Sequence, residues 1–255
     1  MAARVSPLFA ARCLWEGLEL ALSPQCRAHV IVPITVNVIL LSAGGAAAYL
    51  GVRHWIFGWT DTLPGFLSWL GWILAAIAAL LIIFLCFWFF SAVATIIASP
   101  FYGLLADRAE MAICGTQSED MGFAGVVRDI PRCLKRELRK QLFFLPRALL
   151  CLLVTIVPVL NVISPVPWFL LGSWMGCLQY ADYAYDNHKV PFAQMRADLA
   201  SSKMATFSFG AAVALLTAVP VLNLVIPPAA VCAGTRYYVE LRRGGAAATA
   251  LPGRA

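Results

Sequence analysis

Charge is what this sequence has least of. Asp, Glu, Lys and Arg make up 13% of 255 residues, against 61% hydrophobic residues, with a mean hydropathy of +0.80. A soluble domain carries about a quarter charged residues, so the polar surface that water requires is missing and lipid is expected to cover much of the chain. No two of the eight cysteines stand at C-x-x-C spacing, which removes the usual zinc and redox arrangements. Cys86, Cys151, Cys177 and Cys232 lie inside apolar runs, where a thiol serves as a small hydrophobe, and neither a disulfide framework nor a metal site is expected. A phosphate-binding Gly-rich loop and a nucleophile elbow are both absent, so no nucleotide hydrolysis, no enzyme activity and no cofactor are expected. Nor is a cleavable leader, because Glu16, Glu19 and Arg27 interrupt the first segment before any long apolar run. The formal charge of +6 does not point to nucleic acid. The basic residues border apolar segments, where they orient a chain in a membrane.

What is present is apolar length. Four stretches contain no Asp, Glu, Lys or Arg: Ala28 to Val52, Thr62 to Ala106, Ala148 to Ala181 and Met204 to Thr235. A spanning helix needs about 20 apolar residues. Residues 28–52 fit one such helix, which Pro33 and Gly44-Gly45 are expected to bend. Residues 62–106 exceed one span. Pro64, Gly65, Trp69 and Trp72 read as an interfacial segment leading into a transmembrane helix from about Leu70 to Ile97.

The last two stretches repeat five residues, Val157-Pro158-Val159-Leu160-Asn161 and Val219-Pro220-Val221-Leu222-Asn223, followed by Pro165 and Pro167 or by Pro227 and Pro228. Prolines at that spacing with an Asn between them break a helix. The apolar arms on either side are too short for a full span at 1.5 Å per residue. Residues 148–181 and 204–235 are therefore expected to form re-entrant helical hairpins, with ordinary spanning hairpins as the other reading. Irregular backbone at membrane depth must be buried in protein or line an aqueous cavity. Asn161 and Asn223 are the polar candidates for such a pathway, unless they serve only the backbone groups the prolines leave over. The expected fold is an all-α integral membrane domain over the whole chain, with two long transmembrane helices and two shorter half-penetrating hairpins. Return of both hairpins to one side puts almost every Lys and Arg on a single face, which the positive-inside rule makes cytoplasmic, with both termini inside.

Residues 107–147 form the main polar segment. Asp129-Ile130-Pro131 reads as a helix start. Arg132, Lys135, Arg136, Arg139 and Lys140 then share one helical face, with Leu134, Leu138 and Leu142 on another. Contact with acidic lipid headgroups is the favoured reading of this basic face; focusing anions at a pore mouth is the alternative. Asp182, Asp186 and His188 invite a metal or acid–base reading, yet Asn187, Lys189 and Pro191 around them favour a capped turn with salt bridges.

The runs Ile97-Ala98-Ser99-Pro100-Phe101-Tyr102-Gly103-Leu104-Leu105-Ala106-Asp107 and Asp182-Tyr183-Ala184-Tyr185-Asp186-Asn187-His188-Lys189-Val190-Pro191-Phe192 resemble the CysZ family of bacterial sulfate permeases. So do Lys135-Arg136-Glu137, Leu145-Pro146-Arg147-Ala148 and the closing Ala230-Val231-Cys232. The resemblance covers about Trp15 to Glu240. It implies an oligomeric, multi-pass protein of the bacterial inner membrane that takes up sulfate for assimilation and cysteine synthesis. It further implies that Arg27 and the motif residues Ser99, Tyr102, Gly103, Leu104 and Asp107 bind sulfate. Two positions depart from the family pattern: Asp107 stands where relatives carry Glu, and Ala28 follows Arg27 where a second Arg is frequent. The residues fit a dianion. Ser99-Pro100 reads as a helix start whose free N–H groups attract anions, Gly103 admits close approach, and Arg27 adds a charged fork. The plainer alternative is that Ser99-Pro100 merely starts a helix, Gly103 packs and Arg27 reaches lipid phosphate. Two other functions stay open at this point: a membrane assembly protein without transport activity, and a hydrolase using Asp182 and His188.

Overall fold

Proline and glycine, more than charge, decide where the helices stop. The computed structural model describes residues 7–60, 68–115, 123–219 and 222–250, which are all-helical. Helix α1 (Pro7–Leu22) ends ahead of Pro24, and α2 runs Arg27–Thr60. Helix α3 (Ser68–Cys114) stops at Gly115, whose φ is 69°. Helix α4 (Phe123–Ile156) ends before Pro158, and a 3-10 turn (Leu160–Ile163) leads into α5 (Pro165–Asn187). Beyond Pro191 follow α6 (Phe192–Ser201), α7 (Lys203–Thr217) and α8 (Leu222–Ala250). The rule at work is that a residue before proline is pushed out of helical geometry.

The chain divides into two compact units, residues 34–98 and residues 1–33 with 99–255. In the first, Ile39, Leu50, Ile77, Leu80 and Leu81 stand exposed. Among the described residues, one uninterrupted segment, Arg27–Val52, is long and apolar enough to cross a membrane. The expected second span lies on the 47-residue α3, and many of its side chains, like Pro64 and Gly65, fall outside the described residues.

The second unit is built around α1, α5, α7 and α8. Its core holds Leu178, Tyr185, Met195, Phe209, Val213 and Tyr237. Small residues allow the helices to cross closely. A Cβ on Gly210 of α7 would overlap the Ser173 carbonyl of α5, and one on Gly234 of α8 would meet Tyr180 at 2.7 Å. Helix α6 meets α7 at 102°, and together, though not singly, the two are long and apolar enough to cross a membrane.

Both repeated pentapeptides fall at helix breaks, but not in the same way. In the first, Pro158 and Pro165 bound the interruption as the spacing predicts. Trp168 Nε1 donates to Thr155 Oγ1 at 3.0 Å across the resulting hairpin. In the second, Pro220 and Val221 lie outside the described residues. Helix α8 has resumed by Leu222, so Pro227 and Pro228 sit buried inside it rather than ending it. Burial of the surrounding Ile226 and Ala229–Ala233 offsets the hydrogen bonds the prolines remove. Two further helix starts are corrected. Helix α4 begins at Phe123, with Pro131 internal, and α3 passes through Ser99 and Pro100 without interruption. Ser99 is buried within that helix and caps no terminus.

Candidate functional site

Arg128, Arg132, Arg136 and Lys140 recur every fourth residue of α4 and therefore line one face. Their exposure falls along that line, from exposed Arg128 through half-buried Arg132 to Arg136 at 8% and Lys140 at 1%. The partners come from α5, which runs antiparallel, from Val190 just beyond it and from Glu137 of α4 itself. Arg136 donates through Nε and Nη2 to Asp182 Oδ1 at 2.8 and 2.6 Å, and through Nη1 to the Val190 carbonyl at 2.8 Å. Lys140 Nζ lies 2.6 Å from Glu137 and 3.3 Å from the other Asp182 oxygen. Burial alone would depress the Lys140 ammonium; the Glu137 and Asp182 carboxylates outweigh it and leave its pKa raised. Gln179 Nε2 reaches Tyr183 Oη at 3.2 Å and closes the cluster.

This arrangement corrects the lipid-facing reading of the basic helix. Arg136 and Lys140 point inward, while Leu134, Leu138 and Leu142 are 45%, 56% and 61% exposed. Lys135 and Arg139, one position back, do face outward. Two buried cations are tolerable because two buried carboxylates meet them: Asp182 accepts both Arg136 N–H groups on one oxygen and faces Lys140 with the other, and Glu137 pairs with Lys140.

The end of α5 fastens three helices. Arg132 lies 2.5 Å from Asp186 Oδ2 and 2.6 Å from Asp129 Oδ2, and also donates to the Asp186 carbonyl. Burial raises the Asp186 pKa, although Arg132 opposes the shift. Asn187 Nδ2 donates to the Gly103 carbonyl of α3 at 2.8 Å. His188 Nε2 sits 2.9 Å from both Glu110 oxygens, with its ring stacked on Tyr238 at 5.3 Å. Asp182 and Asp186 thus act as ion-pair partners of α4, and His188 as a hydrogen-bond partner of Glu110.

Between these elements opens a cleft of about 700 Å³ lined by Gly103, Leu104, Asp107, Arg128, Asp129, Arg132, Asn187 and Lys189. Three of the expected sulfate ligands, Gly103, Leu104 and Asp107, come together there. Ser99 and Tyr102 do not line it; both are buried, and the Tyr102 ring packs on Tyr183 at 5.4 Å. Arg27 does not line it either. It is the exposed first residue of α2, its N–H donating to the Ser23 carbonyl. A smaller hollow of about 400 Å³ nearby in sequence is lined by Gln25, Arg108, Met111, Ala112 and Gly115. Because α3 is continuous through Pro100, the free N–H groups expected at a helix start are not available at Gly103. The cleft offers cationic side chains instead.

Arg128, Arg132, Asn187 and Lys189 are the cleft residues that reasoning from sequence did not name as sulfate ligands, although Arg132 belonged to the basic face weighed for focusing anions. The four-residue period of the α4 cations was the signal for the first two; nothing local marked the others. Asn161 and Asn223 are both exposed at the hairpin turns and line neither hollow. Asn161 uses its main chain within the turn, donating to Val157 and accepting from Ser164 at 3.1 Å each.

Comparison with known proteins agrees over most of the length. A protein from Vibrio parahaemolyticus named sulfate transporter CysZ is 43% identical over 226 residues, covering 88% of this chain and 91% of that one. Proteins of the same name from Vibrio atlanticus and Salmonella typhimurium are each 42% identical over 88% and 89% of this chain. The family model described as sulfate transporter CysZ/etoposide-induced protein 2.4 matches residues 13–228. With identity at this level spread over nearly nine-tenths of the sequence, the chain belongs to the sulfate transporter CysZ family.

Proposed function

We propose that this protein carries sulfate across a bacterial inner membrane, binding the anion in the cleft between α3, α4 and the end of α5. The observation that carries the reading is the cleft itself. It gathers Gly103, Leu104 and Asp107 with three cations, Arg128, Arg132 and Lys189, and an amide, Asn187. Sulfate is a small dianion with strongly held water, and releasing that water requires several charged or oriented donors at once. Relatives named as sulfate transporters over the same length support the same substrate. Arg27, Ser99 and Tyr102 belong to this proposal as the remaining ligands or their supports.

Transport on this reading is channel-like or secondary, with no catalysis and no ATP hydrolysis. The segment Arg27–Val52 and the apolar part of α3 are the two long spans. The α4–α5 and α7–α8 hairpins penetrate partway, and Asn161 and Asn223 supply polar groups along the path. Lipid and further copies of the chain cover the exposed apolar faces. The sulfate feeds assimilation and cysteine synthesis. Growth of a bacterium deprived of its own sulfate uptake, with sulfate as sole sulfur source, tests this role. The wild-type chain should restore growth, and a Gly103→Leu chain of equal abundance, its cleft filled, should restore much less. Equal growth with the two chains would overturn the placement of the anion, and no growth with either would overturn the role in sulfate supply.

A further inference from the structure

Lys189 occupies a position where a helix ending favours glycine. The Val190 N–H donates to the Tyr185 carbonyl and the Lys189 N–H to the Asp186 carbonyl, each at 2.9 Å. These two bonds form a Schellman ending, whose left-handed residue is Lys189, with φ 57°. Glycine takes that conformation freely, whereas any residue with a Cβ is strained there. The strain has no structural return from the side chain, which is exposed and makes no ion pair among the described residues. Strain that the fold does not need points to use elsewhere, and the Lys189 side chain lines the cleft.

The other cations of the cleft separate into two kinds. Arg132 is committed: it is held by Asp129 and Asp186 and ties α4 to the end of α5. Arg128 is exposed and, like Lys189, has no ion-pair partner among the described residues. An incoming dianion needs positive charge not already neutralised by a fixed carboxylate. We infer that Lys189 and Arg128 supply the charge that holds a tetrahedral oxyanion dianion in the cleft, while Arg132 is a positioning residue. The inference rests on the reading of the cleft as the sulfate site and adds to it the residues that set affinity.

Equilibrium binding of labelled sulfate to the purified full-length chain in detergent, paired with thermal melts, tests this. Lys189→Gly should weaken sulfate binding roughly tenfold or more, the loss of one charge-assisted contact, while its melting temperature stays level or rises. Lys189→Arg should bind near wild type, and Arg128→Gln should weaken binding like Lys189→Gly. Wild-type affinity in both Lys189→Gly and Arg128→Gln, with binding lost in Gly103→Leu, would overturn the inference and leave the cleft as the site. Wild-type affinity in Gly103→Leu would overturn the cleft reading, and the inference with it.

Discussion

The two helical hairpins begin from the same five residues and are fastened by opposite chemistry. Across α4 and α5 the seam is ionic: Arg132 with Asp186, and Arg136 and Lys140 with Asp182. Across α7 and α8 it is aromatic and neutral. The Phe209 ring stacks on Tyr237 at 5.9 Å, and Thr206 Oγ1 lies 3.1 Å from Tyr237 Oη while donating to the Leu199 carbonyl. The repeated Val-Pro-Val-Leu-Asn therefore marks where each hairpin turns and says nothing about what holds it. The ionic seam is also the one that borders the cleft, through Arg132 and Asp129. The carboxylates of that seam hold Arg132, Arg136 and Lys140 in place, and Arg132 and Asp129 form part of the cleft wall.

The largest effect is expected at Asp182. Asp182→Ala leaves Arg136 and Lys140 buried with one carboxylate fewer, and should cost about 3–5 kcal/mol, as removal of one member of a buried pair does. Thermal melts of the detergent-solubilised protein read that loss. Thr206→Val in the neutral seam should cost less, about 1–3 kcal/mol for the Tyr237 hydroxyl it strands. If Thr206→Val proves the more damaging, the assignment of the stronger fastening to α4–α5 is wrong.

Alkaline pH sharpens the contrast further. The folded pKa of Lys140 is raised above its ordinary 10.5, so its contribution is fully present below that value and is lost as pH rises through the folded pKa. The gap in melting temperature between wild type and Lys140→Met should accordingly close as pH climbs beyond about 10.5. The gap between wild type and Thr206→Val should change less over that range. The smallest effect is expected at the hairpin tip. Trp168→Phe removes the hydrogen bond to Thr155 and should cost about 1 kcal/mol by the same melts.

The all-helical fold was legible in the sequence because the chain lacks charge, and several helix ends because α1, α4 and α5 stop shortly before a proline. The breaks at Pro158 and Pro191 follow from local sterics alone. Pro100, Pro131 and Pro227 did not follow, since in each the helix on both sides extends far enough to carry the missing bond. The i, i+4 cations of α4 were readable as a face, but spacing does not tell inward from outward. That was decided by Asp182 and Asp186, 46 and 54 residues further along the chain. Of the residues expected at the candidate site, Gly103, Leu104 and Asp107 line one cleft, whereas Arg27, Ser99 and Tyr102 do not. Lys189 and Asn187 were read only as turn residues, because the turn that aims them at α3 and α4 exists only once α5 has packed.

The most direct test of the account is uptake of labelled sulfate into proteoliposomes holding this chain and no other protein. Wild type should show saturable flux above empty vesicles, reduced in Gly103→Leu and, with the anion also reaching α2, in Arg27→Ala. Wild-type vesicles with verified incorporation that take up no more sulfate than empty ones would contradict unassisted transport and return the protein to a role in assembly with a partner.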